Sequence, residues 1–193
     1  VDIFYVASVS DRATTLNEDL LKGLEKLKKS GKIRFSGVAT HRGETEVLKT
    51  VAEKKSHDVV LTAYNFRQAR HLETRKAIAE AAKAGIGIVA MKTQAGGFWD
   101  KKRKQPINGP AALKWALSDA NVHTAIPGLK TLGHLESSLE IMGNLELTPQ
   151  EKSDLKLGEK LALAGLYCQQ CEECITQCPK NINIPEFMRG YMY

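Results

Sequence analysis

The four cysteines of the chain fall within eleven residues as C-x2-C-x2-C-x3-C-P: Cys168, Cys171, Cys174, Cys178, then Pro179. Thiolates at these intervals can wrap one cluster without long loops, and the run has the ligand spacing of a bacterial-type 4Fe–4S site. Four thiolates also suit tetrahedral zinc, although zinc sites usually set two C-x2-C pairs well apart. Two disulfides are a third reading, in any of three connectivities. They belong to small secreted scaffolds, whereas this chain is lysine-rich and shows no signal-peptide pattern. The spacing favours the cubane cluster, with Cys168, Cys171, Cys174 and Cys178 as metal ligands. In two-cluster proteins the fourth cysteine of such a run ligates the other cluster. With no second run here, three roles stay open for Cys178: closing the same cluster, ligating nothing, or serving a partner's cluster. Exposed clusters are oxygen-sensitive, so the expected compartment is a reducing cytoplasm.

Elsewhere the chemistry is thinner. Lys101-Lys102-Arg103-Lys104 form a basic loop that can steer phosphates or be plain surface. The net charge of +6 otherwise sits on helix faces such as Lys22, Lys26, Lys28 and Lys29. No basic face interleaved with aromatics is visible, so nucleic acid is not an expected partner. His57 and His71 fall at helix edges and are expected at the surface. His123 opens a strand and reads as structural, and His41 follows a strand end where it can touch a ligand. None pairs with Ser or Cys in a nucleophile motif. With 193 residues, 42% of them hydrophobic, the chain can build one good core and a small appendage. No apolar stretch reaches the length of a membrane helix, so no membrane association is expected.

The elements that must position these residues alternate. Strands are expected at Val1–Ala7, Lys32–Thr40, Asp58–Ala63, Gly87–Lys92 and His123–Ile126. Helices are expected over Glu18–Ser30, capped by Asn17, and over Glu44–Lys55, His71–Ala84, Pro110–Ser118 and Leu132–Met142. Thr148-Pro149-Gln150-Glu151 is a capping box that opens a helix running toward Leu163. A last helix covers Ile184–Tyr193. Strands alternating with helices imply βα units and a parallel sheet whose strand C-termini share one side.

Gly23–Lys29 with Gly31-Lys32-Ile33-Arg34, then Gly37-Val38, Tyr64-Asn65, Gly87–Lys92, Ala95-Gly96-Gly97 and Ala125-Ile126-Pro127-Gly128, resembles the aldo-keto reductase superfamily in order and spacing. With the cysteine run attached, the chain resembles the subgroup that carries a C-terminal ferredoxin-type 4Fe–4S segment. The resemblance implies an α/β fold: a partial (β/α)8 TIM-type barrel of about five βα units, matching strands four to eight, then a small helical iron–sulfur segment. The domains would be 1–147 and 148–193. The implied activity is nicotinamide-dependent carbonyl and alcohol redox chemistry, with NADP or NAD and a small-molecule carbonyl substrate. The family's catalytic Asp, Tyr and Lys belong to the second and third strands, and its catalytic His aligns with Ala7. No catalytic residue is therefore expected on residues 1–193. A piece cut from the middle of a longer protein is the favoured explanation. The alternative is a half-barrel that serves as a non-catalytic electron-transfer or interaction module.

The resemblance also assigns cofactor positions. The family's Ser-Asn pair aligns with Ala39-Thr40, of which only Thr40 can hydrogen-bond a carboxamide, and its Gln aligns with Leu61. Asn65 is kept. Lys92 and Thr93 lead into the loop that covers the pyrophosphate. Gly128, Lys130 and Thr131 sit where the adenosine phosphate is gripped, with His134 in place of the 2′-phosphate arginine and Ser137-Ser138 in place of a Glu-Asn pair. These replacements leave NADP against NAD open. The open first strand implies a homo-oligomer or another chain paired on that edge, and the cluster implies a redox partner.

Overall fold

In the computed structural model, which describes residues 1–163, 168 and 171–192, the apolar runs form one parallel sheet. Its strands are β1 (Ile3–Val6), β2 (Phe35–Thr40), β3 (Val59–Ala63), β4 (Gly87–Met91) and β5 (Thr124–Ile126), paired in sequence order. The register runs from Ile3 opposite Phe35, through Gly37 opposite Val59 and Val59 opposite Gly87, to Val89 opposite Thr124. β2 is buried from Ser36 onward and β3 everywhere except Leu61, as strands covered on both faces must be. The outer strands β1 and β5 are more exposed. Gly37 is glycine for a reason of space: a Cβ there would stand 2.6 Å from the Tyr5 ring across the strand pair.

The helices are α1 (Arg12–Thr15), α2 (Glu18–Lys29), α3 (Glu44–Lys54), α4 (His71–Lys83), α5 (Gly109–Leu117), α6 (Leu132–Glu140), α7 (Pro149–Asp154), α8 (Leu157–Lys160), α9 (Glu173–Gln177) and α10 (Ile184–Met192). Leu24 of α2, Val47, Leu48 and Val51 of α3, and Ala77, Ile78 and Ala81 of α4 are buried with Val38, Val60 and Ile88 of the sheet. Among the described residues no helix is long and apolar enough to cross a membrane.

Two units interleave along the chain. The first comprises Val1–Tyr64, Leu72–Met91 and Ala116–Ile126, and it contains the whole sheet. The second comprises Asn65–His71, Lys92–Trp115 and Pro127–Tyr193. It has its own apolar centre of Ala95, Trp99, Ile107 and Ala112, with Phe66, Leu155, Leu157 and Leu163 packed against it.

Three expectations change. The single helix from Pro149 toward Leu163 is broken between α7 and α8. Leu155 and Leu157 lie two residues apart, on opposite sides of any straight helix, and the break lets both reach the Trp99 cluster. The expected helix start at Thr148 holds, with Thr148 and Glu151 capping each other. His57 is not at the surface: it is 4% exposed, with Nδ1 3.0 Å from Ser56 Oγ. His71 is half-buried rather than exposed, its ring 5.6 Å from that of Trp115. His123 is structural as expected, its Nδ1 accepting the Ile88 N–H at 2.9 Å. Tyr193, the expected end of the last helix, lies outside the described residues.

Candidate functional site

Of the eight expected cofactor residues, Thr40 lies in the first unit and the other seven in the second. Thr40 ends β2, is fully buried, and its hydroxyl donates to the Arg42 carbonyl at 2.6 Å. Its proton is committed, so toward a ligand it can only accept. A hydrogen bond to a carboxamide would then have to run from the amide N–H to the Thr40 oxygen.

In the second unit, the loop after β3 is built around Asn65. The Asn65 N–H donates to Gln68 Oε1 at 3.0 Å, the Arg67 N–H donates to Asn65 Oδ1 at 3.0 Å, and His71 Nδ1 stands 2.8 Å from the Gln68 carbonyl. Asn65 Nδ2 then donates to the Lys92 carbonyl at 3.2 Å. One buried side-chain amide thus ties this loop to the loop after β4. Phe66 sets its ring edge-on to Trp99 and Trp115 at 5.8 and 6.4 Å, and the Arg67 guanidinium lies 4.6 Å from the Trp99 ring centroid.

The loop after β4 departs from ordinary backbone. Lys92 and Ala95 hold φ of 57° and 48°, in the left-handed region that non-glycine residues rarely adopt and that costs on the order of 1 kcal/mol each. Between them, Thr93 is fully buried and its Oγ1 has no hydrogen-bond partner among the described residues. A buried hydroxyl in that state costs about 1–3 kcal/mol unless something satisfies it. Gln94 follows. Its amide lies 3.3 Å from where a Cβ on Gly109 would stand, and its Oε1 lies 3.8 Å from the equivalent point on Gly128. Gln94 therefore stands beside both the first turn of α5 and the segment after β5, a role the sequence did not suggest. Gly109 opens α5, where Asn108 Oδ1 accepts the Ala111 N–H and unsatisfied backbone donors favour an anion.

Lys130, Thr131 and His134 form one exposed turn. Thr131 caps α6 by accepting the His134 N–H at 3.2 Å, and His134 Nδ1 accepts the Lys130 N–H at 3.3 Å. The basic loop is ordered by Asp100, whose carboxylate accepts the Lys104 and Gln105 N–H groups at 2.8 and 3.0 Å, while the four basic side chains stay exposed. These groups can bind a phosphorylated ligand: backbone donors, a cation, an imidazole and a buried hydroxyl with no hydrogen-bond partner among the described residues. Tyr64, next to Asn65 in sequence, does something else in the first unit. Its hydroxyl donates to Asp119 Oδ2 at 3.1 Å, and Arg75 Nε stands 3.4 Å from the same oxygen. Burial first, and then the Asp119 charge, push the phenol well above its ordinary value.

The four cysteines form no disulfide with one another and are half-buried. The Ile182 N–H points at Cys178 Sγ at 3.4 Å, the kind of donor that supports a thiolate. Glu172 and Asn181, just after Cys171 and Cys178, turn the backbone with φ of 66° and 51°. The donor set has the right chemistry for a cluster. Among the described residues, however, no three His, Cys, Asp or Glu side chains are gathered as a metal site.

Residues 1–110 match the aldo/keto reductase family. Among solved structures, the chain is similar to the apo form of an aldo-keto reductase from Bacillus halodurans, with a TM-score of 0.58 and 16% identity over 82% of this chain and 62% of that one. It is also similar to a thermostable aldo-keto reductase in complex with the inhibitor epalrestat, with a TM-score of 0.53 and 18% identity over 83% and 60%. An aldo-keto reductase from a Medee basin deep-sea metagenome library gives a TM-score of 0.51 and 16% identity over 82% and 60%. The chain thus spans about three-fifths of the length of these structures. No curated protein matches it. The family match takes in β1 to β4 and the loops that carry Asn65, Lys92 and Thr93, and by it the chain belongs to the aldo/keto reductase family.

Proposed function

We propose that residues 1–193 are the cofactor-binding part of an iron–sulfur aldo-keto reductase, built as a partial (β/α)8 barrel. The catalytic Asp, Tyr and Lys would come from outside these residues. The cofactor is a nicotinamide dinucleotide, NADP or NAD, which supplies hydride for reduction of a small-molecule carbonyl. Asn65 and Thr93 would meet it on the β3 and β4 loops. Gly128, Lys130, Thr131 and His134 would face its adenosine phosphates. The observation that carries this reading is Thr93 Oγ1, buried without a partner among the described residues inside a loop whose backbone is held in the left-handed region at Lys92 and Ala95. Titration of NADPH and of NADH, followed by cofactor fluorescence, tests it. Binding is expected without turnover of an aldehyde, and Thr93→Val should weaken it by about fivefold to tenfold. A chain that binds neither nucleotide sinks the reading.

Cys168, Cys171, Cys174 and Cys178 would hold a 4Fe–4S cluster, whose chemistry is one-electron transfer. About four iron and four sulfide per chain on protein purified without oxygen support it; zinc without sulfide makes the segment a zinc-pinned tail. A second copy of the chain, or another chain, would pair with the open edge of β1, and a redox partner would meet the cluster. The alternative function, a non-catalytic electron-transfer module, is favoured by Ala7 at the position of the family's catalytic His. It predicts cluster content without nucleotide binding.

A further inference from the structure

In chain order, α2, α3, α4 and α5 each stand between two strands, and each buries apolar side chains, among them Leu24, Val47, Ile78 and Leu113. α6 follows β5, the last of the five strands, and buries none. Its apolar residues Leu132, Leu135 and Leu139 recur at helical spacing on one face. That face is solvated: Leu132 is 78% exposed and Leu139 61%, and Met142 in the turn that follows is exposed as well. The half-buried residues of α6 are Ser137 and Ser138, whose hydroxyls both donate to the His134 carbonyl, at 3.2 and 2.7 Å. Helices of βα units carry their apolar stripe toward strands. A helix that turns serines inward and leucines outward is a cover whose stripe meets no strand among the described residues.

β1 shows the converse, a strand without its cover. Phe4 stands opposite Ser36 and Val6 opposite Val38, so Phe4 shares a sheet face with Val38, Val60 and Ile88. Those three are completely buried, whereas Phe4 is 45% exposed. Among the described residues no strand pairs with the outer side of β1. Charge matches as well as apolar surface. α6 carries Glu136 and Glu140 and no lysine or arginine, while the last turn of α2, the next long helix after β1, carries Lys26, Lys28 and Lys29 (two of them already paired, to Asp58 and Glu25).

We propose that the leucine stripe of α6 is the seat for the β1 edge of a second copy of the chain, with Phe4 packed against Leu132, Leu135 and Leu139. The inference rests on the pairing of the β1 edge proposed above and adds its apolar half. Strand addition supplies main-chain hydrogen bonds, and pockets for alternate side chains supply the choice of partner. The contact is heterologous, because the stripe of one copy meets the edge of the other.

Sedimentation of the whole chain over a range of concentrations tests the seat, with Leu132→Glu, Leu139→Glu and Phe4→Lys beside the wild type. All three side chains are exposed, so each variant is expected to keep the wild-type urea midpoint at concentrations where every chain is monomeric. Leu132→Glu and Leu139→Glu are each expected to raise the dissociation constant about tenfold or more, as is Phe4→Lys. An equal mixture of Leu139→Glu and Phe4→Lys keeps one intact stripe and one intact edge, and is expected to form a dimer that grows no further. Wild-type association by both α6 variants, with Phe4→Lys impaired, overturns the seat and leaves the edge pairing standing. Wild-type association by Phe4→Lys, with the α6 variants impaired, means that two stripes pack on each other and also overturns it. An unsubstituted chain that stays monomeric overturns the edge pairing and the seat with it.

Discussion

Tyr64 and Asn65 are neighbours with divergent duties, and a resemblance that notes only their presence does not separate them. Tyr64 is 1% exposed and fixes Asp119 inside the first unit, whereas Asn65 ties two loops in the second. Thr40 shows the same limit. Its place at the end of β2 was legible, but capture of its proton by the Arg42 carbonyl depends on a turn that no spacing rule describes. His57 was misplaced because it sits in a polar segment before a strand, where exposure is the ordinary expectation. Burial lowers its pKa, Lys28 adds to the effect, and Asp58 opposes it. Folded His57 thus holds a proton less readily than the unfolded chain, whose ordinary value is 6.5. Between the two values the unfolded state binds more protons, so stability is full above about pH 6.5 and falls as pH drops. Asp58 does not confuse this window. Although burial works against it, Lys28 and the Ser36 N–H hold its carboxyl below 3.8. Urea midpoints measured from about pH 7 to pH 5 should fall for the wild type and flatten for His57→Gln. An unchanged slope in the variant would assign the acid sensitivity to another group.

At the scale of elements, the five strands were legible because parallel strands are continuous apolar runs, here bounded by glycines such as Gly31 and Gly85. Two features were not. α1 is four residues long, too short for periodicity to register, although Asp11 and Thr14 form a capping box that could have marked it. The break between α7 and α8 answers to a tertiary contact, the approach of the Trp99 ring to Gly158. A Cβ on Gly158 would stand 2.2 Å from two atoms of that ring. Gly158→Ala must therefore displace Trp99 or the helix, and overpacking of this kind costs about 1–3 kcal/mol. Trp99 also packs under Arg67 and Phe66, so the substitution should alter tryptophan emission and lower the urea midpoint together. Wild-type emission and stability would mean that the helix yields freely and that the break has another cause. Within the site, Asn65, Lys92 and Thr93 were readable through the resemblance. Gln94 was not, because its neighbours Gly109 and Gly128 lie 15 or more residues away.

For the whole molecule, the sheet has two outer strands and both carry exposed apolar side chains: Val1, Ile3 and Phe4 at β1, Ile126 at β5. All-parallel sheets are ordinarily covered, and a bare edge is a template for pairing. The two edges run in the same direction, since every strand pair is parallel. β1 of one copy can therefore add beside β5 of another and continue the sheet. Such a contact is heterologous: it closes into a ring or propagates. Residues 1–193 are expected to self-associate with concentration, as seen by sedimentation. Phe4→Lys should block one edge and Ile126→Lys the other, so that each variant alone is monomeric. Because one intact β1 and one intact β5 remain between them, an equal mixture should form a dimer that grows no further. Association through two copies of β1 predicts otherwise: Ile126→Lys alone would still dimerise, and the mixture would gain nothing. A chain that stays monomeric at every concentration would remove both forms of the contact and leave the edges to a different polypeptide.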